Sequence, residues 1–100
     1  MEITRKTKGS KAILLISGVV DFNETRKLKA ALAEIPAAGY VELELDFAAV
    51  PFIGSSGLAV ILNFYREFAR ENGKVIISNA HPELRAMFKA LKLDAYLNFS

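Results

Sequence analysis

Between Leu43 and Leu62 the chain reads Leu-Glu-Leu-Asp-Phe-Ala-Ala-Val-Pro-Phe-Ile-Gly-Ser-Ser-Gly-Leu-Ala-Val-Ile-Leu. Its first part alternates apolar and acidic residues, the period of a strand, and its last part opens an amphipathic helical stripe. A strand that passes through a short loop straight into a helix is half of a crossover unit, which constrains the chain to α/β architecture. Ser55 and Ser56 stand at the mouth of that helix. Free backbone N–H groups and the positive end of the helix dipole meet there, a natural place to put or recognise a phosphate.

The remaining chain repeats the alternation. Ile3–Thr7 and Ala12–Ser17 read as strands joined by a turn at Lys8-Gly9-Ser10. The continuous apolar run Ala12-Ile-Leu-Leu-Ile16 predicts a strand covered on both faces, whereas the threonines and basic residues of the first strand predict an exposed edge. Asp21 and Glu24 have the spacing of an N-cap and its capping-box partner. Leu28, Ala31, Leu32 and Ile35 then form a docked stripe, ended by Pro36 and Gly39. Val41–Asp46 is a strand. In the second helix Leu58, Ile61, Leu62, Tyr65, Phe68 and Ala69 face inward, Asn63, Arg66, Glu67 and Arg70 face outward, and Asn72-Gly73 stops the helix. Val75–Ile77 is a short buried strand. Pro82 opens a third helix with Leu84, Met87, Phe88 and Leu91 inside, and a final strand or coil spans Tyr96–Phe99. The order β-β-α-β-α-β-α implies a mixed, mostly parallel sheet of four to five strands with helices packed against it, in one domain over residues 1–100.

Composition narrows the function classes. The chain has no cysteine, so thiol catalysis, disulfides and zinc–thiolate sites are excluded, and no metal or other cofactor is expected. No apolar run approaches the roughly 20 residues of a membrane span, and the Met1–Lys8 segment lacks a signal-peptide core, so a cytoplasmic protein without membrane insertion is expected. Thirteen basic residues against 11 acidic ones leave a net charge of +2, scattered rather than striped, which argues against nucleic-acid binding. A catalytic reading fails on spacing. Asp21, Asp46 and Asp94 are far apart, His81 is the only histidine, and neither serine sits in Gly-x-Ser-x-Gly. His81 reads instead as a residue at the mouth of the third helix beside Pro82.

The two serines allow two readings. Either they only cap the helix, with Gly57 giving the backbone room, or Ser56 caps while Ser55 is an exposed hydroxyl open to a kinase. A phosphoryl group on Ser55 would bring about −1.5 to −2 charges to a helix N-terminus. The dipole tolerates that charge, but a partner surface docked over it would be repelled. Val60 and Phe64 fall between the inner and charged faces of the helix. Phe64 is therefore either part of a partner-binding patch or packed at the helix edge.

Gly18-Val-Val-Asp21, the strand Val41–Asp46, Phe52-Ile-x-Ser-Ser-Gly-Leu58, Asn72-Gly-Lys-Val-Ile-Ile77 and Leu91-x-Leu-x-x-Tyr-Leu97 follow one another over nearly all 100 residues. In this order and spacing the chain resembles a STAS domain of the bacterial anti-sigma factor antagonists. The resemblance implies a non-enzymatic regulator that binds an anti-sigma factor which is also a serine kinase, of the histidine-kinase-like ATPase type, and so frees a sigma factor for transcription. It further implies that this partner phosphorylates the first serine of the motif, here Ser55, to release the complex, and that a serine phosphatase resets it. The partner surface would then comprise Asp21, Gly54, Ser55, Ser56, Gly57 and Phe64. The family most often has aspartate before the serines, and this chain has Gly54. Two alternatives remain: a constitutive binding module of the same fold, such as an accessory subunit of a membrane lipid-transport complex, and a small-ligand or nucleotide-binding domain using the same helix mouth.

Overall fold

A computed structural model describes all residues 1–100. Five strands, β1 (Glu2–Lys8), β2 (Lys11–Ser17), β3 (Glu42–Ala49), β4 (Lys74–Ser78) and β5 (Asn98–Phe99), form one sheet in the order β1-β2-β3-β4-β5. β1 is antiparallel to β2 and lies at an edge, as its polar sequence implies, and the other three pairings are parallel. The connections hold α1 (Thr25–Ala37), α2 (Ser55–Arg70) and α3 (Pro82–Ala90). The residues around Tyr96–Phe99 thus resolve into a short strand, making the sheet five-stranded.

Because the strand order never reverses, three crossovers of the usual right hand place all three helices on one face. Burial agrees. Alternate strand residues, among them Leu14, Ile16, Leu43, Leu45, Val75 and Ile77, share a single core with Leu28 and Leu32 of α1, Leu58 and Ile61 of α2, and Leu84 and Phe88 of α3. Phe47 stacks on Phe88, with ring centroids 6.1 Å apart. The expectation that the Ala12–Ile16 run is covered on both faces is therefore corrected. Ile13 and Leu15 point away from the core and are half-buried.

Helix ends follow their local chemistry. Pro36 lies inside the last turn of α1 and does not end it. The stop is Gly39 at φ +90°, where the Gly39 N–H donates to the Pro36 carbonyl and the Tyr40 N–H to that of Ile35, a Schellman closure. α2 ends in the same way, with Asn72 taking the left-handed position (φ 64°) and the Gly73 N–H donating to Phe68 O. A Cβ on Gly73 would come within 2.5 Å of the Phe68 ring, so only glycine fits. Leu91, expected in the stripe of α3, lies past its end and is exposed.

Candidate functional site

The loops that leave β2 and β3 lie side by side beyond the carboxyl ends of these parallel strands. They are bonded to each other. The Gly18 N–H donates to Ala49 O (2.9 Å), the Val20 N–H to Phe52 O (3.0 Å) and the Gly54 N–H to Val20 O (2.8 Å). Val20 and Ile53 form an isolated parallel bridge, and both are fully buried. The two loops thus extend the β2–β3 ladder and fix Asp21 beside Gly54. A third element braces them. His81 caps α3 by accepting the Leu84 N–H at Nδ1 (3.4 Å), while Nε2 lies 3.0 Å from Pro51 O. With Nδ1 accepting, the proton belongs on Nε2, which donates to Pro51 O. His81 is thus a cap and a strut, with both ring nitrogens engaged.

At the mouth of α2 the cap position is occupied by Gly54, not by a serine. Ser55 and Ser56 are the first two helical residues, and neither hydroxyl has a hydrogen-bond partner in the fold. The reading of Ser56 as the cap is corrected: a residue already inside the first turn has helical backbone, and its side chain cannot reach forward to the orphan N–H groups as a cap does. Ser55 is exposed and Ser56 half-buried. Gly57 is buried against Val20 and Ile53, where a Cβ would approach each side chain to 2.9 Å, so it sets how closely α2 seats on the paired loops.

Asp21 caps the 3-10 turn Phe22–Glu24 that leads into α1, accepting the Asn23 N–H at 3.0 Å. Glu24 makes no return bond, so the capping box is not closed. The structure therefore brings Asp21, Gly54, Ser55, Ser56 and Gly57 together. Phe64 stands apart. Nine residues along α2 from Ser55, it is about 13.5 Å away along the axis and half a turn around it. Phe64 stacks on Phe68 with centroids 5.0 Å apart and lines a groove of about 590 Å³ between α1 and α2.

Three further residues of this surface escape sequence reasoning. Val19, Phe22 and Phe52, on the two joined loops, are 43%, 77% and 50% exposed. The Phe52 ring lies against Gly54, with Cε2 4.0 Å from where a Cβ would stand. Their signal is a large apolar residue in a loop within two residues of a Gly or Asp, where no periodic stripe accounts for it. Exposed aromatics clustered on loops at a helix mouth are the composition of a protein-docking surface.

The model for the STAS domain family matches residues 2–100. A Bordetella bronchiseptica protein named as a candidate anti-sigma factor antagonist, BtrV, is 26% identical over 89 residues, covering 89% of this chain and 77% of its own. Among solved structures, an anti-sigma factor antagonist from Mycobacterium paratuberculosis superposes with a TM-score of 0.88 at 22% identity, covering 98% of this chain and 83% of that one. The Bacillus cell-fate determinant SpoIIAA in its phosphorylated form gives a TM-score of 0.78 at 19% identity, covering 99% and 91%. With its single five-stranded mixed sheet, its three helices on one face and a family match over essentially its whole length, the chain belongs to the STAS domain family.

Proposed function

We propose that this domain is an anti-sigma factor antagonist that docks on an anti-sigma factor through the paired loops around Ser55, and that phosphorylation of Ser55 by that partner breaks the contact. The observation that carries this reading is an exposed, unpartnered Ser55 hydroxyl at the end of two hydrogen-bonded loops that also expose the apolar side chains of Val19, Phe22 and Phe52. The names of BtrV and of the Mycobacterium paratuberculosis relative support the antagonist role, and the phosphorylated SpoIIAA structure supports the switch.

The physical consequences of a phosphate at this place are separable. For the fold it is nearly neutral, because it sits in the first turn of α2, where unpaired N–H groups and the dipole favour an anion. For the docked complex it is costly. Two charges would have to be desolvated against an apolar contact, with Asp21 adding repulsion from the neighbouring loop. The switch therefore acts on binding rather than on folding. A serine phosphatase restores the binding form.

The test uses the cognate anti-sigma factor kinase and ATP. The expected result is a single phosphate on Ser55 by mass spectrometry, with release of wild type but not of Ser55→Ala. Ser55→Asp binds weakly from the start while melting within a degree or two of wild type. Release of Ser55→Ala at the wild-type rate refutes the switch. An unmodified chain that stays bound in ATP leaves a constitutive docking module.

A further inference from the structure

Parallel strands are nearly always covered on both faces, yet the face of β2, β3 and β4 away from the helices carries no layer. Strand register sets its side chains in straight rows. Lys8, Lys11, Glu42 and Lys74 form one row, Lys6, Ile13, Glu44 and Ile76 the next, and Thr4, Leu15 and Asp46 a third. Thus β1 contributes cations, β3 contributes anions, Ile13 and Leu15 of β2 lie between, and Lys74 of β4 flanks Glu42 outside the β1–β3 strip. Ile13 and Leu15 are half-buried and belong to no part of the core. Lys6, Lys8 and Glu42 have no ion-pair partner within the chain.

We infer that a second copy of this chain docks on this face as a two-fold dimer. Rotation by 180° about an axis along β2 keeps every row at its height and exchanges β1 with β3. Lys8 of the second copy then falls over Glu42, and Lys6 of the second copy over Glu44. Each pair occurs twice, and Ile13 and Leu15 stack on their own images across the axis. Such self-complementarity is what a two-fold interface requires. Lys11 meets its own image, but Glu44 holds its ammonium at 2.8 Å and offsets the charge. The twist of about 30° between aligned sheets is within reach of the flexible lysines.

Only β1, β2 and β3 overlap about such an axis, and three strands about 4.8 Å apart and some 23 Å long give a face of roughly 330 Å² per copy. A standard interface buries about 800 Å² per partner, so the dimer is weak and reversible, with a dissociation constant in the micromolar range or above. The Ser55 loops lie beyond the strand ends and stay free, so this inference stands apart from the proposed switch.

Sedimentation velocity on the full chain from about 10 μM to about 1 mM, a range that brackets such an affinity, tests it. The expected result is a dimer fraction that rises with concentration and falls with added salt. Lys8→Glu, on an exposed edge strand where folding tolerates it, weakens association about tenfold, because two ion pairs reverse at once. Glu42→Lys does the same, and the double variant restores association. Ile13→Glu abolishes the dimer, with thermal melting used to confirm that the variant is folded. A monomer throughout the range overturns the inference, even if an added protein of another kind covers the face. A dimer indifferent to both Lys8→Glu and Ile13→Glu overturns it too, as does a double variant no better than the singles.

Discussion

Replacing Gly54 with aspartate should stabilise the domain, although glycine is the present occupant of a tight junction. The backbone at Gly54 has φ −80° and ψ 168°, extended geometry open to any residue. A Cβ built there meets Val20 O at 3.7 Å, Asp21 Cα at 4.0 Å and Phe52 Cε2 at 4.0 Å, all ordinary contacts. Glycine is therefore not required by sterics. Restricting the unfolded chain contributes about 0.4–1 kcal/mol. A carboxylate at the cap of α2, where no side chain now bonds the orphan N–H groups, adds a few tenths to about 1 kcal/mol. Asp21 opposes this, but its carboxylate is turned to the Asn23 N–H, and repulsion between solvated charges is worth only a few tenths of a kcal/mol. The net is about 1 kcal/mol of added stability, or a rise in Tm of roughly 4–8 °C for a domain of this size. Differential scanning calorimetry at neutral pH measures it. Gly54→Ser separates the cap from the charge, and added salt separates the Asp21 repulsion from both. A Tm for both variants at or below that of wild type refutes the argument.

Gly57→Ala should act in the opposite direction. Overpacking against Val20 and Ile53, each 2.9 Å from the new methyl, costs about 1–3 kcal/mol, and helix propensity returns at most about 1, so calorimetry should show a lower Tm. Glu44 accepts from the Lys11 ammonium and then from the Ser78 hydroxyl (2.7 Å), which hold its carboxyl below the usual glutamate range. The native state then binds fewer protons than the unfolded chain, so this stabilisation is present above the usual carboxylate range and lost as pH falls through about 4 and below. Urea unfolding of Glu44→Gln between about pH 3 and 6 should show a shallower acid limb than wild type; an unchanged slope contradicts the linkage. Phe22→Ala with Phe52→Ala should leave the melting temperature nearly unchanged, since both rings are exposed, yet weaken partner binding at least tenfold by calorimetric titration.

Much of the fold is legible in the chain because its signals are local. The stripe Leu28-Leu32-Ile35, the Asn72-Gly73 stop and Pro82 each report on a few neighbouring residues, and the elements form where these signals stand. Pro36 misleads because a proline in the last turn deletes one intrahelical bond without preventing one more helical residue. The Ala12–Ile16 run misleads because apolar continuity does not say which face a layer covers. That depends on the direction of every crossover, and here all of them run one way across the sheet. At the site, Ser55 and Asp21 are legible as residues at helix mouths. Their adjacency is not, since it rests on the Val20–Phe52 and Gly54–Val20 hydrogen bonds between segments more than 30 residues apart.

By itself, then, the amino-acid sequence determined the elements, their order and an α/β domain with two hydroxyls at the start of its second helix, because periodicity and capping chemistry act over a few residues. Only the tertiary structure decided that Gly54 rather than a serine holds the cap. It also decided that Val19, Phe22 and Phe52 stand exposed on the two joined loops, and that Phe64 belongs to a groove on the other side of α2. Those outcomes follow from how closely α2 seats on the paired loops, and that seating is set at Gly57 by contacts with Val20 and Ile53. Contacts between separate segments are properties of the packed layers, which no local pattern encodes.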